Sequence, residues 1–435
     1  MGGAVYQASG SISITNSSFG SNQAIGGWPT GTSPPPASPA YGGALVAIAG
    51  DVTIDHSQFF QNAASGGRSG YHAPAGPAYG GAIYTAFVLM ANDSSFFGNQ
   101  ALAGGPAIVP QAGLKGVEGL GGAIYNSGTV VLDRCSVWSN SVQGGSASSY
   151  LGSFATGGDG LGGGIFNTSQ LIATNCTVAL NSAVGGLANG YFTESAASGR
   201  GMGGGVFNNT NSIFVAVNLT IASNSCISPF NPSNSVFAPG STNGFVAGSQ
   251  IAITNGTLHL YNTLVAGGGT NSNAYGPITD DGYNISSDGS ANFNSGSSYN
   301  FTDPLLGPLA NYGGPTLCMA LRPDSPAIDS GSSAGAPATD QRGFSRPHGA
   351  AVDVGAYEYY SDQTDIPYLY IAPTANNFLL TFTAYPSGLY DLQASTNLST
   401  WTDLVTNGPF DTLTNVNQTI SKQNPDHCFY RLLLQ

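Results

Sequence analysis

The chain has 435 residues, of which 63 are glycine and only 7% are charged, against roughly 25% in an ordinary globular protein. Nine basic and 22 acidic side chains leave a net charge of −13, which argues against nucleic acid or an anionic membrane surface as partner. No apolar run approaches the ~18–20 residues that span a bilayer, so membrane insertion is not expected. Solubility must come from Ser, Thr, Asn and Gln. Lysine occurs only at Lys115 and Lys422, a profile that suits an extracellular or cell-surface protein.

From the start of the chain, Gly-Gly pairs recur at Gly2-Gly3, Gly42-Gly43, Gly80-Gly81, Gly121-Gly122, Gly162-Gly163 and Gly203-Gly204. Asparagines keep step at Asn22, Asn62, Asn99, Asn140, Asn181 and Asn224. A fixed period of about 40 residues indicates a solenoid of stacked coils. Alternating apolar residues such as Ile12 and Ile14, or Val130 and Leu132, mark strands with one buried face. The anchors Phe19, Phe59, Phe96, Val137, Val178 and Ile221 and the aliphatics after each Gly-Gly form further inward rows. The asparagines are expected to form an amide ladder, and each Gly-Gly a bend where a Cβ would clash or φ must be positive. A small inward position carries Ser17, Ser57, Ser94, Cys135 and Cys176. The two cysteines, one coil apart, suit a disulfide or stacked thiols, and serine in the same row favours the stack. Met1 stands directly before the first Gly-Gly. A solenoid needs a capping segment, so the start reads as truncated, with a signal peptide and earlier coils expected upstream.

This pattern resembles the Gly-Gly-Ala-Ile and Phe-x-x-Asn repeats of chlamydial polymorphic outer-membrane proteins and of right-handed parallel β-helix proteins generally, over roughly residues 1–270. The resemblance implies an all-β, pectin-lyase-like solenoid.

Five coils carry inserts at 28–41, 68–79, 106–120, 146–161 and 187–202, expected side by side on one flank. They contain Trp28, Tyr41, Tyr71, Tyr79, Tyr150, Phe154, Tyr191 and Phe192. These aromatics are candidate binding residues for a polysaccharide or a surface protein; the alternative is that the loops pack on one another.

From Gly276 the texture changes. Asp281-Gly-Tyr-Asn284, Asp303-Pro-Leu-Leu-Gly307, Asn311-Tyr-Gly-Gly-Pro315, Ser325-Pro-Ala-Ile-Asp329, Asp340-Gln-Arg-Gly343 and Asp353-Val-Gly-Ala-Tyr-Glu358 follow in order. Together they resemble the bacterial choice-of-anchor Q family. That resemblance implies a continuation of the β-helix in a secreted or surface protein, and supplies no catalytic residues. Asp280, Asp281 and Asp288 are candidate Ca²⁺ ligands because Ca²⁺ takes several oxygen donors, while turn capping is the other use of such aspartates. Arg342 and Arg346 beside Asp340 and Asp353 read as structural ion pairs.

Residues 361–435 read as six short strands of a small Ig- or fibronectin-like sandwich with Trp401 in its core. The run from Tyr390 to Leu398, with Trp401 and Phe429-Tyr-Arg-Leu432, resembles a C-terminal module of secreted verrucomicrobial and planctomycete-type proteins. The expected organisation is parallel β-helix coils over 1–275, a continuation or cap over 276–360, and the sandwich over 361–435.

Three functions compete. A non-catalytic surface solenoid would present the insert flank for adhesion or for glycan or protein binding. A polysaccharide lyase or glycoside hydrolase would need a base near an acidic cluster or a carboxylate pair. For that role the sequence offers His56 with Asp93, at equivalent positions on neighbouring coils, and the adjacent pair Asp280-Asp281. A structural fibre would form by end-to-end self-association of otherwise monomeric chains.

Overall fold

A computed structural model describes residues 2–29, 35–70, 73–106, 114–147, 155–188, 197–229, 243–269, 271–360, 370–373, 377–384, 390–396, 399–408, 414–421 and 429–434. It forms two compact units: Met1–Leu309 with Gly313–Tyr359, and Ala310–Tyr312 with Tyr360–Gln435. The first unit is a right-handed parallel β-helix. In its first coil the strands are Val5–Gln7, Ile12–Thr15, Ser18–Gly20, Gln23–Ile25 and Ala40–Tyr41. Each pairs in parallel with its counterpart one repeat on, which makes five stacks; the first three hold eight strands, the fourth and fifth six. Register follows the repeat, so Leu45, Ile83 and Ile124 lie above one another in stack 1. A shortened last coil (Ala274–Tyr275, Thr279–Asp280, Ile285–Ser286) carries the stacking to Ser286.

Stacks 1 to 3 enclose the main core, with Phe59, Phe96, Leu89, Leu132 and Ile124 among its fully buried side chains. Like residues stack on like: Phe59 lies 4.8 Å from Phe19 and 5.4 Å from Phe96. The amide ladder is present. Asn99 Nδ2 and backbone N–H both donate to Asn140 Oδ1 at 2.9 Å, and Asn140 repeats the pattern on Asn181. At the last step Asn224 donates to Gln250 Oε1 instead. A second, unexpected ladder joins Asn126, Asn167 and Asn208 at 2.7 Å per step. The cysteines belong to a third: the Cys135 N–H donates to Cys176 Sγ at 3.3 Å, as the Ser57 N–H donates to Ser94 Oγ. Cys135 and Cys176 are free thiols.

The two glycines of each pair have different physical reasons. Gly121 has φ +72°, the left-handed bend, whereas a Cβ on Gly122 would sit 2.0 Å from the Gly163 carbonyl oxygen of the next coil. Two further left-handed corners per coil are carried by other residues. One row is Asn16, His56, Asp93, Arg134, Asn175, Asn218 and Asn262; another includes Ser21, Gln61, Ser139, Leu180 and Ser223. Asparagine tolerates this conformation, while His and Arg held there carry strain of order 1 kcal/mol or more.

Stacks 4 and 5 run back to back as a narrow arm. Its inner layer is Ala40, Ala64, Ala78, Ala101, Val142, Ala183 and Cys226, small enough for two legs to approach closely. Beyond it the legs are glycine-packed: Gly76 N–H donates to Gly67 O at 2.8 Å, and Gly104 N–H to Gly76 O at 2.9 Å. A Cβ on Gly66 would lie 1.8 Å from Gly76 O. As at the axis of a collagen triple helix, only glycine fits where backbones touch. The inserts therefore extend an arm of interleaved outgoing and returning legs.

Residues 305–309 and 313–358 turn back and cover the outer face of stack 3 on the fifth to seventh coils. There Ala179, Ala222 and Ala266 pack against Met319, Leu306 and Leu309. Asn175 Nδ2 donates to Thr339 O at 2.8 Å, Thr177 Oγ1 to Gln341 Oε1 at 2.6 Å, and Ala356 N–H to Thr220 Oγ1 at 3.0 Å. A buried ionic cluster fixes this cover. Arg342 pairs with Asp340 at 2.8 Å and lies between the Phe344 and Tyr357 rings; Arg346 pairs with Glu358 at 3.0 Å. The expected partner of Arg346, Asp353, supplies its backbone carbonyl instead.

The second unit has six antiparallel strands in two three-stranded sheets: Tyr370–Pro373, Asn377–Ala384 and Thr414–Ser421, and Thr402–Asn407, Tyr390–Ser395 and Phe429–Leu434. Phe382, Tyr390, Val416 and Leu432 pack together inside it. Trp401 is only partly buried, not a core residue, and the Arg431 guanidinium lies 4.2 Å from its ring centroid.

Candidate functional site

Of the eight aromatics expected on the insert flank, Tyr71, Tyr150, Phe154, Tyr191 and Phe192 lie outside the described residues. Trp28 is 65% exposed at the start of its insert, with the Arg68 guanidinium 5.5 Å from its ring centroid. Tyr41 and Tyr79 do not stand on loops. They end the stack 5 strands Ala40–Tyr41 and Ala78–Tyr79, and their rings stack at 5.0 Å.

That position brings them against the outward row of stack 1. Tyr41 meets Tyr84 edge-on at 5.0 Å, Tyr79 meets Tyr125 at 5.2 Å, and Tyr84 stacks on Tyr125 at 5.1 Å. The ladder continues through Phe166 and Phe207 at 5.4 and 5.3 Å. It fills the angle between stacks 5 and 1. Phe166 and Phe207 are buried, with Leu161 and Met202 beside them, whereas the four tyrosines are half-buried and open to solvent. Sequence reading missed Tyr84 and Tyr125, although Gly-Gly-Ala-Ile-Tyr in two successive coils signals them.

Beside the tyrosines runs the row three residues before each Gly-Gly: Pro77, Glu118, Asp159 and Arg200. Arg200 grips Asp159 through Nη2 at 2.7 Å and Nε at 3.0 Å, while its N–H donates to the other carboxylate oxygen at 2.8 Å. A cavity of about 260 Å³ opens here, lined by Pro77, Tyr79, Lys115, Glu118 and Asp159 among others. Burial first, then the neighbouring Tyr41, Tyr125 and Glu118, pushes the Tyr79 phenol up to about 12. Burial and Tyr84 likewise raise Tyr125 and Tyr41. These phenols are therefore neutral at physiological pH, hydrogen-bonding hydroxyls on apolar rings.

A second cluster lies at the corner between stacks 2 and 3. His56 Nδ1 is 2.9 Å from Asp55 Oδ2; Arg134 holds Asp93 by Nε and Nη2 at 2.8 and 2.7 Å, and Asp133 by Nη1 at 2.6 Å. Ligand atoms of Asp55, His56 and Asp93 lie within 4.8 Å of one another. Burial raises the Asp133 pKa, with Arg134 opposing and Asp93 adding to it. His56 and Asp93, expected on equivalent positions, are brought together. Each already has a nearer partner.

Asp280, Asp281 and Asp288 form no such group among the described residues. Asp280 accepts from the N–H groups of Gly282, Asn294 and Ser295, from Asn284 Nδ2 and from Ser298 Oγ. Burial alone would raise its pKa, but these bonds outweigh it and hold the carboxyl below its ordinary value. Asp288 is bound likewise by Asn273, Ser286 and Ser290, and Asp281 faces His259 at 2.9 Å. With about four lone-pair sites per carboxylate, Asp280 is saturated by its own chain, and Ca²⁺ would have to displace those donors. The residues do not fit a Ca²⁺ shell. No protein-family model matches this chain, and no curated protein or solved structure matches it either.

Proposed function

We propose that this is a secreted or cell-surface β-helix that binds a glycan chain in the tyrosine-lined angle between stacks 5 and 1 without turning it over. The observation that carries the reading is the cluster Tyr41, Tyr79, Tyr84 and Tyr125 beside the 260 Å³ cavity. Neutral phenols on apolar rings can pack against the C–H faces of sugars and hydrogen-bond their hydroxyls. Asp159, already oriented by Arg200, and the nearby Glu118 add fixed acceptors. The low charge of the chain suits an uncharged ligand.

A second reading, a polysaccharide lyase or hydrolase, is favoured by the Asp55, His56, Asp93 and Arg134 cluster, which places acids and bases on one coil face. One assay separates the two. Neutral and uronic polysaccharides are tested for binding, and for new reducing ends or unsaturated products, with and without Ca²⁺. Binding without products, weakened about tenfold by Tyr79→Ala, supports the first reading. Product formation abolished by His56→Ala replaces it with the second.

A further inference from the structure

The outer face of stack 3 carries two scripts. On the fifth to seventh coils it reads Asn175-Cys-Thr-Val-Ala179, Asn218-Leu-Thr-Ile-Ala222 and Asn262-Thr-Leu-Val-Ala266. On the second to fourth it reads His56-Ser-Gln-Phe-Phe60, Asp93-Ser-Ser-Phe-Phe97 and Arg134-Cys-Ser-Val-Trp138 at the same register. In the first script every outward position serves the chain's own cover. The corner asparagines donate to backbone carbonyls of Thr339, Asp353 and Ser332, the hydroxyl row bonds Gln341 and the Ala356 N–H, and alanine leaves room for Met319.

We propose that the second script is a docking strip for an extended, cationic segment of a partner polypeptide. Continuity with the internal interface comes first. The cover stops on the fourth coil, where Thr316 Oγ1 donates to Arg134 O at 2.9 Å and Gln341 Nε2 to Cys135 O at 3.3 Å. From there the face runs on as a polar corner, a lane in which Gln58 is exposed while Ser95 and Ser136 are buried and bond each other at 2.9 Å, and an outward row of rings. Phe60 and Phe97 stack at 5.4 Å, and Phe97 and Trp138 at 4.6 Å, each partly exposed. Where the covered coils leave space for side chains to enter, the open coils offer a ridge for side chains to lie against. Charge complementarity comes second. Asp55, Asp93 and Asp133 outnumber Arg134, whose side chain is committed to two of them, and Asp55 forms its ion pair with the exposed His56. An ammonium or guanidinium group next to an apolar side chain satisfies both lanes.

The proposal is tested with the whole protein and an array of ten-residue peptides graded from acidic to basic, each alternating charged with apolar residues. The basic peptides are expected to bind and the acidic ones not. Phe97→Ala and Asp55→Asn, the latter removing the exposed strip carboxylate that Arg134 does not hold, should each weaken binding about tenfold, while Asp51→Asn, an exposed carboxylate outside the strip, leaves it unchanged. Gln58→Lys, at an exposed position in the polar lane, gives the same loss if either of the first two variants fails to fold. Equal weakening by Asp51→Asn would reduce the effect to overall charge and overturn the proposal. So would failure of all peptides to bind, or a neutral oligosaccharide whose binding depends on Phe97. Tyr79→Ala is without effect on the peptides, which keeps this test separate from that of the tyrosine angle.

Discussion

The second to fourth coils and the fifth to seventh have the same interior and opposite exteriors. Inside, both continue one ladder of side-chain amides, ending on Gln250, and one set of glycine bends. Outside, one region bears rings and charges and the other asparagine, threonine or leucine, and alanine beneath residues 305–309 and 313–358. A stacked solenoid thus separates two tasks that a globular core mixes. Inward positions must match their neighbours one coil away, while outward positions are free to record what covers them.

The largest expected effect tests whether the interior is common to both regions. Gly122→Ala places a Cβ 2.0 Å from Gly163 O, and Gly204→Ala one 2.4 Å from Ser225 O. Each should cost at least about 3 kcal/mol in urea unfolding; a loss at only one of the two would show that the regions differ inside as well.

The covered region should also have its own pH response. Burial, then the Glu358 carboxylate, pushes Asp353 up to about 7, against the Tyr359 and Asp329 N–H groups that bond it. A raised carboxyl favours the protonated fold, so its contribution is full below the unfolded pKa near 4 and is lost as pH rises through 7. Stability should fall by about 2–3 kcal/mol between pH 5 and pH 8. Glu358, also raised by burial, acts in the same direction. Thermal melts of Asp353→Asn should lose most of this slope; an unchanged slope would assign it elsewhere.

Exchanging the outward scripts gives smaller effects. Ala222→Phe installs the open script beneath Met319, where Ala222 is 1% exposed. Overpacking of about 2 kcal/mol should release the cover, read as faster proteolysis of residues 305–358 with the coils intact. Phe97→Ala, on the open coils, should cost under about 1 kcal/mol, since its ring lies outside the core.

The interior was legible because every coil repeats it. Gly-Gly, Phe-x-x-Asn and the apolar alternation each recur at one register, and the stacks follow them. The other two left-handed corners were not legible, because His, Asp and Arg interrupt the asparagines of one row, and Gln, Gly and Leu the serines of the other. The cover was hidden for a related reason: it comes from outside the period, although the change from aromatic to alanine after Trp138 marks where it lies. At the candidate site the tyrosines were visible as residues, but Tyr41 and Tyr79 were assigned to loops. They close strands, and their partners Tyr84 and Tyr125 directly follow the inward aliphatics Ile83 and Ile124.

Methionine oxidation compares the regions most directly, since the same chemistry sits in each environment. Met90 is 47% exposed on stack 2 of the third coil, Met319 is 8% exposed on the underside of the cover against the alanine row, and Met202 is 1% exposed. Under dilute peroxide, followed by peptide mass spectrometry, Met90 should oxidise at the rate of a solvent-exposed methionine while Met319 stays protected with Met202. Met319 oxidising as fast as Met90 would contradict the account, because the alanine row would then have no cover.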